Sequence, residues 1–194
     1  MKLLLTGPRG NLGTQLINKC AHEIVGIERA DWTKLDAILS SGIDVVIHTA
    51  YDLRNQVAFA PTSIMTSNIM TTTNLIERMK EIGIPRLIFI SSCAVYGESM
   101  QTEEETPCRP ISINGIVKLL NERIIEEYCI SHDIKFEVYR IFNMYGGADH
   151  FSIIRQLKYC LENDREFRLN NNGLSQRDFV HVEDVANVIL QLID

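Results

Sequence analysis

Three glycines spaced three apart, Gly7, Gly10 and Gly13, separate an apolar run from a stretch with helical apolar spacing. In such a turn the first glycine allows the tight bend, the second lets backbone approach a pyrophosphate, and the third seats a helix against a strand. The helix start then turns unsatisfied N–H groups and its positive dipole end toward the anion. Glycines also cluster in plain turns, so the spacing alone leaves both readings open. Glu28 follows at the end of a second apolar run, where a carboxylate accepts both hydroxyls of an adenosine ribose and so selects NAD. Arg29 is next to it and Arg9 lies inside the turn; either guanidinium could instead hold the 2′-phosphate of NADP, or both could be solvated loop residues. The carboxylate repels a phosphate, which favours NAD and keeps NADP as the alternative.

These groups need a strand, a turn and a helix in that order, and the sequence predicts them. Lys2 to Thr6 reads as a buried strand and Asn11 to Ala21 as a helix, with Leu12 and Leu16 facing the sheet and Ile17 a further candidate. Further strands are expected at Glu23 to Ile27, Asp44 to Ala50, Arg86 to Ser92 and Lys135 to Phe142. Helices are expected at Thr33 to Ser41, Ser63 to Ile82, Ile113 to His132 and Ile153 to Asn163. Asn143 to Gly147 reads as a loop, Asn170 to Gly173 as a turn, and Gln176 to Val182 as a strand feeding a last helix from Glu183. This alternation predicts an α/β fold of the Rossmann type, a doubly wound parallel sheet with helices on both faces.

The 194 residues, 45% of them hydrophobic, suffice for one well-buried α/β domain and not for two. A net charge of −6 with no lysine- or arginine-rich run speaks against nucleic acid. No apolar stretch approaches the roughly 20 residues that span a bilayer, so no membrane association is expected. The first strand begins at residue 2 without a signal-peptide pattern, and the expected location is cytoplasmic. Cys20, Cys93, Cys108, Cys129 and Cys160 form no close pair and read as reduced thiols rather than a metal site.

Polar residues recur at the strand ends in a fixed order. They are Thr6-Gly7-x-x-Gly10-x-x-Gly13, Val46-Ile-His-Thr-Ala50, Asn68 in the first long helix, Ser91-Ser-Cys-Ala-Val-Tyr-Gly97, Lys118, Arg140-Ile-Phe-Asn143 with Tyr145-Gly146, and Arg177-Asp-Phe-Val-His-Val-Glu-Asp-Val185. Over nearly the whole chain this order resembles the extended short-chain dehydrogenase/reductases that act on nucleotide sugars, a family of NDP-sugar epimerases, dehydratases and 4-keto-sugar reductases. The resemblance implies NAD or NADP as cofactor and a nucleotide sugar as substrate. It places Gly7, Gly10 and Gly13 on the pyrophosphate with Arg9, Asn11 and Leu12 beside them, Glu28 and Arg29 at the ribose, and Asp31 on the adenine amino group. Thr49, Ala50, Tyr51 and Asn68 would line the cofactor groove, and Lys118 would bind the nicotinamide ribose. Ser92 would hydrogen-bond a sugar hydroxyl or carbonyl oxygen, with Tyr96, Asn143 and Arg177 on the substrate side. A homodimer through the two long helices is also implied, and Ile116 and Leu120 beside Ile124 fit it.

The sequence departs from that family in two places. The family's proton donor is a tyrosine four residues before the lysine, and here Asn114 holds that position. A carboxamide cannot exchange a proton with a sugar hydroxyl at any accessible pH. Three readings follow: an enzyme in which Ser92, a water or another tyrosine such as Tyr96 or Tyr145 supplies the proton, a catalytically silent binder of dinucleotide or nucleotide sugar, or a paralogue without a ligand. The second departure is length, since relatives continue past the Arg177 motif into a further sugar-nucleotide lobe. Residues 1–145 and 176–194 are therefore expected to form the Rossmann domain and 146–175 a small, truncated C-terminal substrate lobe, whether the chain is a truncated member or a fragment.

Overall fold

A computed structural model describes residues 1–52, 61–99 and 102–193. Five short apolar runs become parallel strands: β1 (Lys2–Thr6), β2 (Glu23–Ile27), β3 (Val45–His48), β4 (Arg86–Ser92) and β5 (Lys135–Ile141), in the order β2-β1-β3-β4-β5. Helices cover both faces, which is why these strands read as nearly continuous hydrophobic segments. Leu3, Leu5, Val45, Ile47 and Ile88 pack with α1 (Asn11–Lys19) and α6 (Val182–Ile193). Leu4, Val46, Leu87 and Phe89 pack instead with α2 (Leu35–Leu39), α3 (Pro61–Ile82) and α4 (Ile113–Ser131). The chain passes from β1 to β2 on one side and then to β3 on the other, so a crevice opens beyond the carboxyl ends of β1 and β3.

Several boundaries differ from the sequence-based expectation. The β3 ladder stops at His48 rather than Ala50 because the chain turns back onto β1: Thr49 Oγ1 donates to Thr6 O at 2.6 Å and Ala50 N donates to Thr6 Oγ1 at 3.0 Å. Thr49 to Asp52 are thereby released into the crevice. Helix α1 ends at Lys19, where Cys20 turns extended, and Ile17 is exposed rather than facing the sheet. The helix expected at 33–41 divides into a 3-10 turn at Arg29–Lys34 and α2, which buries Leu35 and Leu39. Asn143–Tyr145 is not a loop but strand β6, paired in parallel with β7 (Phe179–His181). Its partner lies far along the chain, where local pattern cannot reveal it. Helix α5 (Ile153–Glu162) sits in the excursion between those two strands, capped by Ser152 Oγ, which accepts from Arg155 N at 3.1 Å.

A buried line of hydrogen bonds ties β1, β3 and α3 together below the crevice. Thr72 Oγ1 donates to Asn68 O at 3.0 Å and so accepts from His48 Nε2 at 3.1 Å. The other ring nitrogen, Nδ1, then accepts from Thr6 Oγ1 at 2.7 Å, and Thr6 in turn accepts from Ala50 N. This direction fixes the neutral Nε2–H tautomer. Burial, and secondarily the charge of Lys118, push the imidazole down to about 3. The unfolded chain, with an ordinary histidine near 6.5, binds the proton first as pH falls. His48 therefore lends full stability above pH 6.5, and that share is lost between 6.5 and about 3, by at most about 1.4 kcal/mol per pH unit. The His48 ring-proton shifts in NMR should stay flat from pH 8 to pH 5; a titration midpoint near 6.5 would show that the ring is not held neutral.

Candidate functional site

The crevice is a cleft of about 2030 Å³ that runs from the glycine turn after β1, past the ends of β3 and β4, to the excursion carrying α5. Gly7 adopts φ +75°, a conformation that side chains rarely take, and its N–H donates to Ile27 O at 3.2 Å. A Cβ on Gly13 would stand 2.3 Å from Gly7 O, so helix and turn touch backbone to backbone. Gly10 is different. A Cβ there would meet only Gly7 O at 3.2 Å, and Gly10 is the N-cap of α1 without any side-chain cap. The fold crowds a side chain there less than at Gly13, and the helix start beside it is open to an approaching anion.

On the β2 side Glu28 lines the cleft. Arg9 pairs with it through both carboxylate oxygens, Nε to Oε1 at 2.5 Å and Nη2 to Oε2 at 2.7 Å. Arg29 faces away from Glu28 and holds Asp52 Oδ2 at 2.5 Å, with Ser67 Oγ at 3.0 Å. Asp31 pairs with Lys34 at 2.6 Å and is not among the cleft-lining residues, whereas Trp32 is. Asn68 braces the wall: its Oδ1 accepts from Asp52 N at 2.6 Å and its Nδ2 donates to Asp52 O at 3.3 Å.

At the end of β4 two adjacent serines divide their work. Ser91 is buried and bonded to Glu122, which also holds Arg140 Nη2 at 2.7 Å. Ser92 lines the cleft, its Oγ accepts from Ala94 N at 3.2 Å, and its hydroxyl also hydrogen-bonds the neighbouring Cys93 side chain. Lys118 is buried behind this strand end, and its Nζ donates to Ile90 O at 2.6 Å. Burial pushes its ammonium down to about 7, against a smaller opposing effect of Glu122. That cation lies over two rings, 4.5 Å from the centroid of Tyr51 and 4.8 Å from that of Phe89. Neither Lys118 nor Asn114 is among the cleft-lining residues; both touch Tyr51, which is.

The two tyrosines considered as substitutes do not reach the cleft. Tyr96 is buried and its hydroxyl accepts from Arg140 Nη1 at 2.9 Å, so it serves the ion-pair network instead of a substrate. Tyr145 packs edge-on against Phe179 and His181. Asn11 and Leu12 line the cleft, although Asn11 also donates to Gly146 O at 2.9 Å and accepts from Ala148 N at 2.8 Å, and Leu12 packs in the core. Asn143 and Arg177 line the cleft, although Asn143 donates to Asp178 O and Arg177 to Gln176 O. Sequence reading gave Tyr51 only a place in the cofactor groove. The signal for more was its position just past the end of β3, at the crevice, in a chain with Asn114 where the family carries a tyrosine.

A family model described as the NAD dependent epimerase/dehydratase family matches residues 3–194. The UDP-glucose 4-epimerase of Streptococcus mutans is 30% identical over 168 residues, which cover 76% of this chain and 50% of that protein. This chain therefore spans about half the length of that relative. Among solved structures, UDP-glucose 4-epimerase of Thermotoga maritima with UDP-glucose superimposes with a TM-score of 0.90 at 22% identity, covering 100% of this chain and 74% of that one. UDP-glucuronic acid 4-epimerase of Bacillus cereus in complex with UDP-glucuronic acid and NAD gives a TM-score of 0.87 at 25% identity, with 100% and 73% covered.

The glycine geometry separates folding from binding. Gly13→Ala should lower the unfolding free energy by roughly 1–3 kcal/mol, because its methyl group collides with backbone that cannot yield. Gly10→Ala should cost far less. Urea unfolding of both variants checks the contrast, and equal losses would contradict it.

Proposed function

The chain belongs to the NAD dependent epimerase/dehydratase family, and from that membership we propose that it binds NAD along the glycine turn and a nucleotide sugar in the outer cleft. One observation carries the reading: the family's turn, the Glu28 carboxylate and the Ser92 hydroxyl open onto one cleft at the switch point of the sheet. The cleft residues fit the cofactor, since Gly10 leaves uncapped N–H groups for a pyrophosphate and Glu28 has carboxylate lone pairs for ribose hydroxyls beyond its bonds to Arg9. NAD, when bound there, would supply reversible hydride transfer to and from a sugar carbon. Ser92 donates its hydrogen bond to the oxygen on that carbon, and Lys118, held by Ile90 O, places positive charge beneath the same end of the cleft. Residues 146–175 form the substrate side, where Phe151, Leu157, Phe167 and Leu169 give an apolar wall. The relatives named above bind or act on UDP-glucose and UDP-glucuronic acid, so UDP-hexoses are the first substrates to test. A second reading, silent binding of the same ligands, is favoured by Asn114 alone.

Copies of the chain pair through α3 and α4 in this reading. Met70, Ile116 and Leu120 are exposed there, whereas Ile124 packs on the core. Light scattering at micromolar concentration should give twice the chain mass, and a monomer throughout would end the dimer proposal.

Calorimetric titration with NAD and with UDP-glucose, followed by absorbance at 340 nm, tests the main reading; no binding of either ligand would refute it. In Glu28→Ala the affinity for NAD should fall about 10–100-fold, the loss of charge-assisted hydrogen bonds, and the preference over NADP should shrink with it. An unchanged NAD-to-NADP ratio would show that Glu28 does not face the ribose.

A further inference from the structure

We propose that Tyr51 supplies the phenol missing at position 114 of helix α4, and that its Oη exchanges the proton with the substrate oxygen bound by Ser92. The proposal rests on the NAD and nucleotide-sugar reading above and concerns the step that reading leaves without an acid. Asn114 and Lys118 lie one turn apart on α4, so their side chains share a face. Tyr51 reaches that face from the end of β3. Its hydroxyl donates to Asn114 Oδ1 at 3.1 Å, and its ring lies 4.5 Å from Lys118 Nζ. The phenol thus ends at the tip of the very side chain that cannot transfer a proton, with the lysine against its ring. Among the described residues Tyr51 is also the one tyrosine that lines the cleft, together with Ser92.

The charges around the phenol set the direction in which it acts. Burial, and then the charge of Asp52, push Tyr51 up to about 12, so it holds its proton at neutral pH and serves first as an acid. In reduction of a keto-sugar, a bound reduced nicotinamide would supply the hydride to the carbonyl carbon. The electrons of the C=O π bond move to oxygen, which takes the proton of Tyr51 Oη, and a phenolate remains. Lys118 in its ammonium form, face-on to that ring, is the nearby positive charge that stabilises the phenolate, and the Asn114 amide can turn its N–H₂ toward it. Oxidation of a carbinol runs the same exchange backwards: the hydride leaves carbon for the oxidised dinucleotide, and the phenolate takes the hydroxyl proton. Over a full epimerisation the two steps return the proton to Tyr51, and no other acid is consumed.

The test compares wild type with Tyr51→Phe, using NAD, UDP and UDP-glucose as probes. The variant should keep a cooperative thermal transition and still bind NAD, within about tenfold of wild type, which establishes that it folds with its cofactor groove formed. Affinity for UDP-glucose should fall about 2–10-fold, the loss of one neutral hydrogen bond, while affinity for UDP stays constant, because the phenol meets the sugar and not the nucleotide. Hydride transfer should fall roughly 10²–10⁴-fold. Wild-type transfer and UDP-glucose affinity in Tyr51→Phe would overturn the proposal and leave the NAD and nucleotide-sugar reading standing. Equal losses for UDP and UDP-glucose would overturn it too, by placing Tyr51 on the nucleotide. A wild type that binds both ligands yet transfers no hydride refutes the proton-transfer role, and one that binds neither refutes both readings.

Discussion

The hydrogen-bonded line through His48 is the constraint on which the cleft depends. A neutral imidazole with one donor and one acceptor spans Thr6 on β1 and Thr72 on α3, and each partner hydroxyl passes the direction on to Ala50 N and Asn68 O. Three elements far apart in sequence are thereby fixed at a spacing set by hydrogen-bond lengths. The turn after β1, the released segment Thr49 to Asp52 and the bracing Asn68 inherit their positions from it. A protonated ring would carry two donors and no acceptor, and the line would lose its direction. Burial of the polar ring is therefore compatible with stability only while it stays neutral.

A second buried arrangement holds the other rim. Glu122 accepts from Arg140 and from Ser91, and Arg140 also donates to Tyr96, so α4, β4 and β5 are locked at their ends. Such a pair contributes little net stability against its desolvation, but loss of one partner leaves a buried charge without compensation. Its consequence for the site is positional. Both Ser91 and Ser92 line the cleft, but the Ser91 hydroxyl is bonded to Glu122, and Lys118 is held between Ile90 O and the Tyr51 ring rather than swinging outward.

The outer cleft is built on other terms. Phe151, Leu157 and Leu169 line it while substantially exposed, and the two-stranded sheet β6 and β7 anchors the excursion that carries them. The inner half thus relies on directed hydrogen bonds and backbone contact, and the outer half on an apolar wall. Dinucleotide binding needs the first kind of surface, with placed donors and carboxylates.

Much of this molecule was legible in its residues. Continuous apolar runs, the three-residue spacing of Gly7, Gly10 and Gly13, and the helix periodicities are short-range signals, so β1, β2, β4 and the long helices stand close to where local pattern put them. The same locality explains what went unread. The end of β3 is set by Thr6, more than 40 residues away, and the pairing of β6 with β7 joins segments on either side of an entire helix. Tyr51 and Asn114 are 63 positions apart, and no spacing rule links them. Residue types alone could announce that the phenol was missing at position 114. Only packing of the β3 end against that helix could bring another one to its place, because contact between side chains from different elements is decided by the tertiary fold and leaves no periodic trace in the chain.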